Sequence, residues 1–417
     1  MKTLFCLRSA PHPPIGGAPL RNWQNINAMA KLGPVAVFTA FPGQPLQTEQ
    51  PFGPWEHFEI TDVVWGEPRT VKEYLYRMRP WGQEACDRYY RPAAAAQLRS
   101  LLESFRPDVT VLGEPWMYGY LPVIRAYCRQ AAREERPCQL IFDNHNVEAE
   151  VSLYQDRLPR RPGLRGKLEA RIRHGQILRM ERTLCRQAEI IWVCSELDRA
   201  MLCQLYALSP EKVSVVPNGV DLDRFEPVRQ RQLPRPELLV DQAPTILFAA
   251  TFDYSANIEA AHWLMDEIYP LLQRNVPELK LMLVGRGPTE KMQAAAQANP
   301  HLIIPGLVKD ILPYYAAATA IVVPLRHGSG TRLKLLEAFA AERPVVSTAK
   351  GAEGLTVEEG QHLWLAETPE AIAQRLLQII ARPEEAQPLA KAAFELVSQR
   401  YAWNASAQKI YDSLGLA

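Results

Sequence analysis

Short apolar runs alternate along the first half of the chain with longer segments in which apolar residues recur at helical spacing. The short runs predict buried strands, and the spaced segments predict amphipathic helices. Strands that alternate with helices indicate a mostly parallel sheet with helices on both faces. We therefore predict one α/β domain over residues 1–220. Its strands are expected at 3–7, 35–39, 58–65, 108–113, 139–143, 189–194 and 213–216, and its helices at 19–32, 93–105, 121–133 and 168–186.

A proline-rich and charged segment at 221–243 interrupts this alternation, which is typical of an interdomain linker. The alternation then resumes, so we predict a second doubly wound α/β domain over 244–395. The segment 384–416 has a helical pattern. Strands of the second domain are expected at 245–250, 279–285, 301–305, 319–324, 345–348 and 362–365, and its other helices at 258–274, 289–298, 311–318 and 331–341.

The composition fits a globular protein of more than one domain. The 417 residues are too many for one ordinary core, and 47% are hydrophobic while 22% are charged. The net charge of +1 argues against a protein whose main partner is nucleic acid. Seven scattered cysteines without a C-x-x-C pair favour free thiols in a reducing compartment and match no zinc spacing. No apolar run reaches the length of a membrane span, so a cytoplasmic location is predicted.

The segment 321–348 combines an apolar run, a glycine turn, a helical pattern and a β-branched run. In such a βαβ unit, the free N–H groups at the helix start face any phosphate placed on the turn at Gly328, Ser329 and Gly330. Glu337 follows Gly330 by seven residues, about 10 Å along a helix. Because helical side chains lean toward the N-terminus, its carboxylate is expected within reach of a ribose hydroxyl pair. The first hypothesis is therefore a nucleotide site.

Other nucleotide and hydrolase signatures are absent from the sequence. Neither domain has the G-x-G-x-x-G turn of a dinucleotide site directly after a strand, and no G-x-x-x-x-G-K-[ST] P-loop occurs. No G-x-S-x-G nucleophile elbow is present either. What remains is a phosphate-binding turn without hydride or phosphoryl-transfer machinery.

Several motifs together resemble retaining glycosyltransferases of family 4. The segment 326–355 is similar to the family's donor-binding signature, in the branch that reads G-x-G-T-R-L-K-x-L-E-A. The VPNGVD segment at 216–221 and the DNHNVE segment at 143–148 also match, in the family's order. The resemblance implies the GT-B fold, in which two Rossmann-like domains face each other across a cleft. A C-terminal helix at 396–417 is then expected to pack toward the first domain.

Two positions depart from the family pattern. Many members carry a glutamate where this chain has Ser329. The loop 249–257 lacks the arginine and lysine that other members place after this strand for the diphosphate. Charge compensation is therefore expected from Arg332, Lys334 and Arg286, because the donor diphosphate carries about two negative charges.

The resemblance also implies roles for single residues in donor binding. His145, Arg332 and Lys334 are the catalytic candidates, and an ordinary loop histidine is the alternative for His145. Glu337 is expected to bind the ribose, unless it only forms a helix salt bridge with Lys334. Val308 is expected to meet the base with its main chain. The diphosphate is expected to lie against Gly16, Gly17, Arg286, Gly328, Ser329, Gly330, Thr331 and Arg332, with plain turns and a helix cap as the alternative for the glycine segments.

Candidate acceptor contacts follow strand ends of the first domain. They are Asn146, Glu148, Trp116 and Tyr118, and for the two aromatic residues packing against the following helix is an equal alternative. The segment 157–186 holds ten Arg or Lys and two Glu. A basic helix can bind an anionic lipid surface at about 1 kcal/mol per charge, although such a face is more often merely solvated.

By resemblance, the expected reaction moves a sugar from a nucleotide-diphosphate-sugar donor to a hydroxyl of a glycan, lipid-linked or small-molecule acceptor. Retention of configuration is implied, with no metal or other cofactor, because backbone N–H groups and Arg or Lys can stabilise a leaving diphosphate. Two alternatives stay open: a nucleotide-sugar epimerase of the same fold, and a non-catalytic nucleotide-sugar-binding scaffold subunit. No nucleic-acid partner is expected. Peripheral contact with the inner membrane face is a further option for this cytoplasmic protein.

Overall fold

A computed structural model describes residues 1–14, 16–40, 56–60, 90–156, 164–239, 241–328 and 332–416. The chain divides into two compact units. The first comprises Met1–Pro217 together with Ala407–Ala417, and the second comprises Asn218–Ser406. The segment 221–243 therefore groups with the second unit. Within it, Phe225, Val228 and Leu239 are buried in that unit's core.

The first unit is built on a parallel sheet. Its described strands lie in the order β3-β2-β1-β4-β5-β6-β7, so that consecutive strands run outward in both directions from the neighbours β1 and β4. β1, β2 and β4 are buried along their whole length, as expected for strands covered on both faces. The strands are β1 (Thr3–Leu7), β2 (Val35–Thr39), β3 (His57–Ile60), β4 (Val109–Gly113), β5 (Gln139–Asp143), β6 (Ile190–Val193) and β7 (Val213–Val215).

Helices connect these strands and bury one apolar stripe each. In α3, for example, Ile124, Tyr127, Cys128 and Ala131 are buried at spacings of three and four residues. A 3-10 helix at Pro115–Tyr120 and the helix α4 were not predicted. The helices are α1 (Gly17–Ala30), α2 (Pro92–Phe105), α3 (Leu121–Arg133), α4 (Glu148–Asp156), α5 (Leu164–Gln187) and α6 (Glu196–Tyr206).

The second unit repeats the architecture with a parallel sheet in the order β10-β9-β8-β11-β12-β13. The order changes direction between the neighbours β8 and β11. Its large core is formed from both faces of this sheet and the surrounding helices. The strands are β8 (Thr245–Ala249), β9 (Lys280–Val284), β10 (Leu302–Gly306), β11 (Ala320–Val323), β12 (Val345–Ser347) and β13 (Trp364–Leu365).

One helix prediction in this unit was wrong in detail. The segment 258–274 is not one α-helix but α8, then a π-helical turn at Leu264–Ile268, then α9. Pro270 lies in the first turn of α9 and has no N–H to donate to the preceding turn, which explains the local widening. The helices are α7 (Glu226–Arg229), α8 (Ser255–Trp263), α9 (Tyr269–Asn275), α10 (Glu290–Ala298), α11 (Leu312–Ala317), α12 (Leu333–Ala340), α13 (Ala349–Ala352), α14 (Pro369–Ala381) and α15 (Pro383–Arg400).

The chain ends in two helices where one pattern was predicted. Position 396 lies inside α15, and a new helix, α16, runs over Trp403–Ser413. The last turns of α16 belong to the first unit, where Ile410 is fully buried. Tyr411 Oη donates a 3.0 Å hydrogen bond to Ala28 O, and Trp192 Nε1 donates a 2.9 Å hydrogen bond to Ser413 Oγ. The predicted pair of doubly wound domains is confirmed. Among the described helices, none is both long and apolar enough to cross a bilayer.

Candidate functional site

The glycine turn of the second unit lies where its strand order changes direction. Ligands of open α/β sheets bind beyond the carboxyl ends of the strands at such a point. Gly328, in the loop after β11, has φ 103°, and a Cβ there would lie 3.0 Å from Tyr254 Oη and 3.3 Å from Ala256 Cβ. The turn after β11 thus closely approaches the loop after β8. Ser329, Gly330 and Thr331 lie outside the described residues.

Arg332 closes this turn at the start of α12. Its side chain is buried, and Nη2 donates a 2.9 Å hydrogen bond to Gly328 O. The same atom lies 3.6 Å from the Glu353 carboxylate. Arg332 therefore places a positive charge against the turn and holds the turn's backbone.

Lys334 reaches from α12 toward the end of β8. Its Nζ donates a 2.6 Å hydrogen bond to Asn257 Oδ1 and lies 5.0 Å from the centre of the Phe248 ring. Asn257 is itself held by a 2.7 Å hydrogen bond from Nδ2 to Thr251 O. Burial, with the nearby charge of Arg332, lowers the pKa of Lys334 to about 7. Asn257 is a site residue to which the sequence assigned no role.

Glu337 lies one helical turn beyond Lys334. Tyr315 Oη, from α11, donates a 2.9 Å hydrogen bond to Glu337 Oε2. Burial raises the pKa of Glu337 above its ordinary value, and the hydrogen bond from Tyr315 opposes that shift. The ion pairs of the described residues do not include one between Glu337 and Lys334, so the helix salt bridge does not account for this carboxylate.

The other predicted donor residues of this unit lie in the loops after β9 and β10. Arg286 Nε donates a 2.7 Å hydrogen bond to Asp253 Oδ2, and both side chains are more than half exposed. Val308 is half-buried, and its neighbour Leu307 is 67% exposed. These loops follow strands on the same side of β8, so their ends share one edge of the sheet.

A group of contacting residues, in which Arg326 is exposed and His327 is buried, precedes the glycine turn. Glu259, on α8, contacts the Arg326 guanidinium, and its Oε2 lies 3.5 Å from His327 Nδ1. The Arg326 guanidinium also lies 4.5 Å from the centre of the Trp263 ring. Glu259, Trp263 and Arg326 line a cavity of 360 Å³. No sequence motif indicated this group, because its members come from separate segments.

In the first unit, strand order changes direction between β1 and β4, and charged residues follow both strands. Arg8 Nε lies 3.3 Å from Glu114 Oε2, and Glu114 Oε1 lies 3.9 Å from His145 Nδ1. Glu114 is buried and has φ 66°, a strained conformation for a residue with a side chain. Strain of this kind, of about 1–3 kcal/mol, clusters at functional sites. No sequence motif indicated Glu114 as a site residue.

Asp143 is the centre of a buried network at the end of β5. It accepts a 2.7 Å hydrogen bond from Arg21 Nη2 and a 2.9 Å hydrogen bond from Asn25 Nδ2, and its Oδ2 lies 3.2 Å from His145 Nε2. Burial favours the neutral acid, but the charges of Arg21 and His145 outweigh it and hold the pKa of Asp143 well below its usual range. Asp143 thereby fixes the His145 ring.

Glu148 begins α4 beside a second buried carboxylate. Glu181 Oε1 accepts a 3.0 Å hydrogen bond from the Glu148 N–H, which caps the helix. Asn146 Nδ2 lies 3.5 Å from Glu148 Oε1. Burial, together with the charges of Glu181 and Glu114, raises the pKa of Glu148 to about 8. At neutral pH this side chain is a hydrogen-bond donor as well as an acceptor.

The remaining candidates of the first unit differ in their surroundings. Gly16 has φ 92° and precedes α1, and no heavy atom lies within 4 Å of where its Cβ would be. Gly17 is the first residue of α1. Trp116 and Tyr118, in the 3-10 helix after β4, both pack against the core of the unit. No group of three His, Cys, Asp or Glu suited to a metal ion occurs within the described segments.

Comparisons with known proteins agree with this architecture. Residues 15–224 match the sequence model described as Glycosyltransferase Family 4, and residues 243–382 match the one described as Glycosyl transferases group 1. A D-inositol 3-phosphate glycosyltransferase from Frankia alni is 30% identical over 234 residues, which cover 52% of this chain and 56% of that protein. The chain thus spans about half the length of the curated relatives it matches.

The solved structures that resemble the whole chain include the following two. Sucrose-phosphate synthase from Thermosynechococcus elongatus has a TM-score of 0.69 at 20% identity, covering 100% of this chain and 98% of that one. HepE from Anabaena in complex with UDP has a TM-score of 0.69 at 17% identity, covering 100% of both chains. At these identities the likeness shows the fold.

Proposed function

The chain belongs to the glycosyltransferase family 4 superfamily, and we propose that it transfers a sugar from a nucleotide-diphosphate sugar to an acceptor hydroxyl. The observation that carries the proposal is the glycine turn at the strand reversal of the second unit. The buried Arg332 and the half-buried Lys334 lie beside it at the start of α12. Phosphate groups bind at such turns through backbone N–H groups and nearby cations.

Arg332 and Lys334 are proposed to neutralise the diphosphate. Lys334, with a pKa of about 7, is poised between its neutral and charged forms. An anion bound nearby favours the ammonium, so diphosphate binding raises that pKa and is accompanied by proton uptake from solvent near neutral pH. Gly328 and the segment 329–331 supply backbone N–H groups in this proposal. Arg286 already pairs with Asp253 and is assigned a minor share.

Glu337 is proposed to bind the ribose hydroxyls. The hydrogen bond from Tyr315 restricts the rotation of the Glu337 carboxylate. Val308 is proposed to meet the base through its main chain, beside the exposed Leu307. The related Anabaena protein has been crystallised with UDP and with UDP-glucose, which supports testing uridine donors first.

The first unit is proposed to hold the reacting acceptor and to supply polar contacts. His145, oriented by Asp143, is proposed to contact sugar hydroxyls, together with Asn146 and Glu148. Gly16 and Gly17 leave room for a close approach of substrate to the backbone. Trp116 and Tyr118 are partly buried against the core of the unit, and acceptor contact is proposed for them in addition to this packing.

The proposed chemistry proceeds with retention and without a metal ion. The bond between the anomeric carbon and the donor phosphate oxygen breaks, and the acceptor oxygen forms its bond on the same face. The acceptor proton passes to the departing phosphate oxygen. Preorganised cations such as Arg332 and Lys334 stabilise the charge that develops on that leaving group.

Peripheral membrane contact is proposed for the described part of the basic segment. On α5, Lys167 and Arg171 are exposed beside Leu168, which is 59% exposed, and Leu153 of α4 is 47% exposed. Exposed leucines within a basic surface suit an anionic lipid interface. Residues 157–163 of the same segment lie outside the described chain. Sedimentation with vesicles of anionic phospholipid, compared with K167E/R171E, tests this contact, and equal sedimentation would reject it.

The test of the central proposal is a thermal-shift panel of UDP, GDP, ADP and TDP, each alone and as its glucose conjugate. At least one is expected to raise the melting temperature of the wild type and to do so less in R332A. A panel without any shift would overturn the nucleotide site. Donor turnover by the purified protein then separates an enzyme from a binding subunit. Conversion of the donor sugar without acceptor would indicate an epimerase instead.

A further inference from the structure

Two cysteines line a cavity of the first unit that lies away from all the residues assigned above. Cys128 is on α3, and Cys138 immediately precedes β5. Both border a cavity of 570 Å³, together with the start of β4 at Val109 and the start of β5 at Gln139. The cavity is therefore at the amino ends of these strands, whereas Asp143 and Glu114 are at the carboxyl ends.

The Cys128 and Cys138 thiols border the same cavity, and Thr110 Oγ1 lies 3.4 Å from Cys138 Sγ. Hydrogen bonding by the Cys128 thiol lowers the pKa of Cys138 more than burial raises it. Thr110 lowers the pKa by a smaller amount than burial raises it, and the charges of Glu189 and Asp108 raise it. The Cys128 thiol has a raised pKa because it is the donor in this pair and is buried. Cys138 is thus the more nucleophilic of the two, because the thiolate is the reactive form.

The charges around the cavity favour an anionic visitor. Arg125 is paired with Glu189 at 2.8 Å, so these two charges offset each other. Asp108 accepts a 2.8 Å hydrogen bond from the neutral backbone N–H of Lys2 and keeps its negative charge, while Met1, which carries the terminal ammonium, also borders the cavity. Arg129 is exposed at the cavity and forms no ion pair with any described residue. It can therefore attract a carboxylate of an incoming molecule.

We propose that Cys138 and Cys128 form a thiol–disulfide exchange site for a small acidic disulfide. The Cys138 thiolate attacks one sulfur of that disulfide, forms a mixed disulfide and releases one thiolate. Cys128, after giving up its proton to solvent, then attacks the Cys138 sulfur and releases the second thiolate. Two protein thiols and one small disulfide thereby become one protein disulfide and two small thiols, which balances atoms and electrons.

The protein disulfide would link α3 to Cys138, the residue directly before β5. β5 ends in Asp143, and His145 follows two residues later. The oxidised pair thus acts on the strand that carries the proposed acceptor-site histidine. This modification does not depend on glycosyl transfer, so a negative result for one activity does not affect the other.

The experiment uses the reduced full-length chain, with Cys86, which is outside the described residues, replaced by serine in every sample. Each sample is incubated with oxidised glutathione, quenched with acid and alkylated, and its cysteines are mapped by tandem mass spectrometry. The wild-type pair is expected to form the 128–138 disulfide. C128S is expected to retain glutathione on Cys138, and C138S is expected to leave Cys128 unmodified. Glutathione on Cys128 of C138S at the wild-type rate, or unreacted 128 and 138 in the wild type, would overturn the proposal.

Two further variants keep the test decisive if a serine variant fails to fold. R129A is expected to slow the reaction with oxidised glutathione several-fold, while leaving the rate with neutral 2-hydroxyethyl disulfide unchanged. T110V is expected to move the pH of half-maximal reaction upward, because it removes a hydrogen bond that lowers the pKa of Cys138. Equal slowing of R129A with both disulfides would contradict the assigned role of the arginine, and an unchanged pH profile in T110V would contradict Cys138 as the attacking thiol.

Discussion

The Lys334 ammonium donates a 2.6 Å hydrogen bond to the side-chain oxygen of Asn257. The two residues lie on α12 and α8, the helices that follow the neighbouring strands β11 and β8. This bond delivers a cation from the later helix to the loop after β8. That loop contains no Arg or Lys of its own over 249–257. One helix thereby supplies a charge to two loops at the strand reversal.

Replacement of Lys334 tests the origin of this charge. K334M is expected to reduce kcat/KM for the donor by about a hundredfold, because it removes one preorganised cation from the leaving group. N257L is the matched control, since it frees the lysine without removing its charge and should cost less. Steady-state kinetics of transfer gives both values. Equal losses in the two variants would show that the lysine acts only through Asn257.

The pH dependence of stability gives a second, independent readout for Lys334. The pKa of this residue is about 7 in the folded chain and near its ordinary 10.5 when unfolded. Between these values the unfolded state binds more protons, so the free energy of unfolding should rise with pH from about 7 upward. Urea unfolding at a series of pH values should show this slope in the wild type and a flatter one in K334M. A slope unchanged by the mutation would contradict the lowered pKa.

Arg332 is expected to contribute both charge and turn geometry. R332A should lower turnover well over tenfold, because it removes a charge-assisted hydrogen bond to the donor. R332K keeps the charge but not the guanidinium that donates to Gly328 O, and it should recover only part of the activity. Turnover of both variants at saturating donor is the measurement. Wild-type activity in R332A would remove this residue from the diphosphate site.

The role of Glu337 can be separated from a purely structural one with modified nucleotides. E337Q should weaken binding of the preferred nucleoside diphosphate by about tenfold, the usual scale for a hydrogen bond to a charged group. Binding of its 2′,3′-dideoxy analogue should be the same in wild type and E337Q. Isothermal titration calorimetry of the four combinations measures the coupling. A similar loss for both ligands would assign Glu337 to the packing of Tyr315 and not to the ribose.

Asp143 is expected to be a strong contributor to stability. D143N leaves the Arg21 guanidinium buried without its counter-charge and should cost about 3–5 kcal/mol. D253N, which breaks the exposed pair with Arg286, should cost about 0–1 kcal/mol and is the matched control. Because the folded pKa of Asp143 is depressed, its contribution is present above the unfolded pKa and is lost as pH falls below it. Chemical unfolding at pH 5 and pH 2 should therefore show a smaller loss on acidification in D143N.

The ionisation of Glu148 should make stability fall with rising pH, whereas that of Asp143 makes it rise. Its pKa is raised to about 8 in the folded chain, so the folded state holds a proton that the unfolded state releases. Stability should consequently fall as pH rises from about 4.5 to 8, and E148Q should remove that fall. Unfolding midpoints across this range, in wild type and E148Q, are the measurement. Parallel curves for the two proteins would rule out a buried, protonated Glu148.

The apolar pattern predicted most of the strands and helices because strands such as β1, β4 and β8 are buried along their whole length. The helix predicted at 121–133 coincides with α3, for example. Position 396 was placed wrongly, since an unbroken helical pattern does not reveal the break at Tyr401, whose carbonyl accepts a hydrogen bond from Val220. That break depends on a contact distant in sequence.

The site was predicted in part. His145 and Glu337 were found because motifs carry them, and the structure surrounds each with specific polar partners. Arg21 was missed, because an arginine on a helix is normally expected in solvent, whereas here the fold brings Asp143 to it. Asn257 and Glu114 acquire their partners only through strand order. Periodicity along one chain segment contains no information about that order.

The placement of α16 has a consequence for the order of folding during synthesis. Ile410 fills part of the core of the first unit, and Ser413 is the partner of the buried Trp192 indole. The ribosome produces these residues only after the whole second unit has been translated. Chains usually fold from the N-terminus as they emerge. The core of the first unit, which is translated first, therefore stays incomplete until α16 has been synthesised. The second unit can complete its folding earlier.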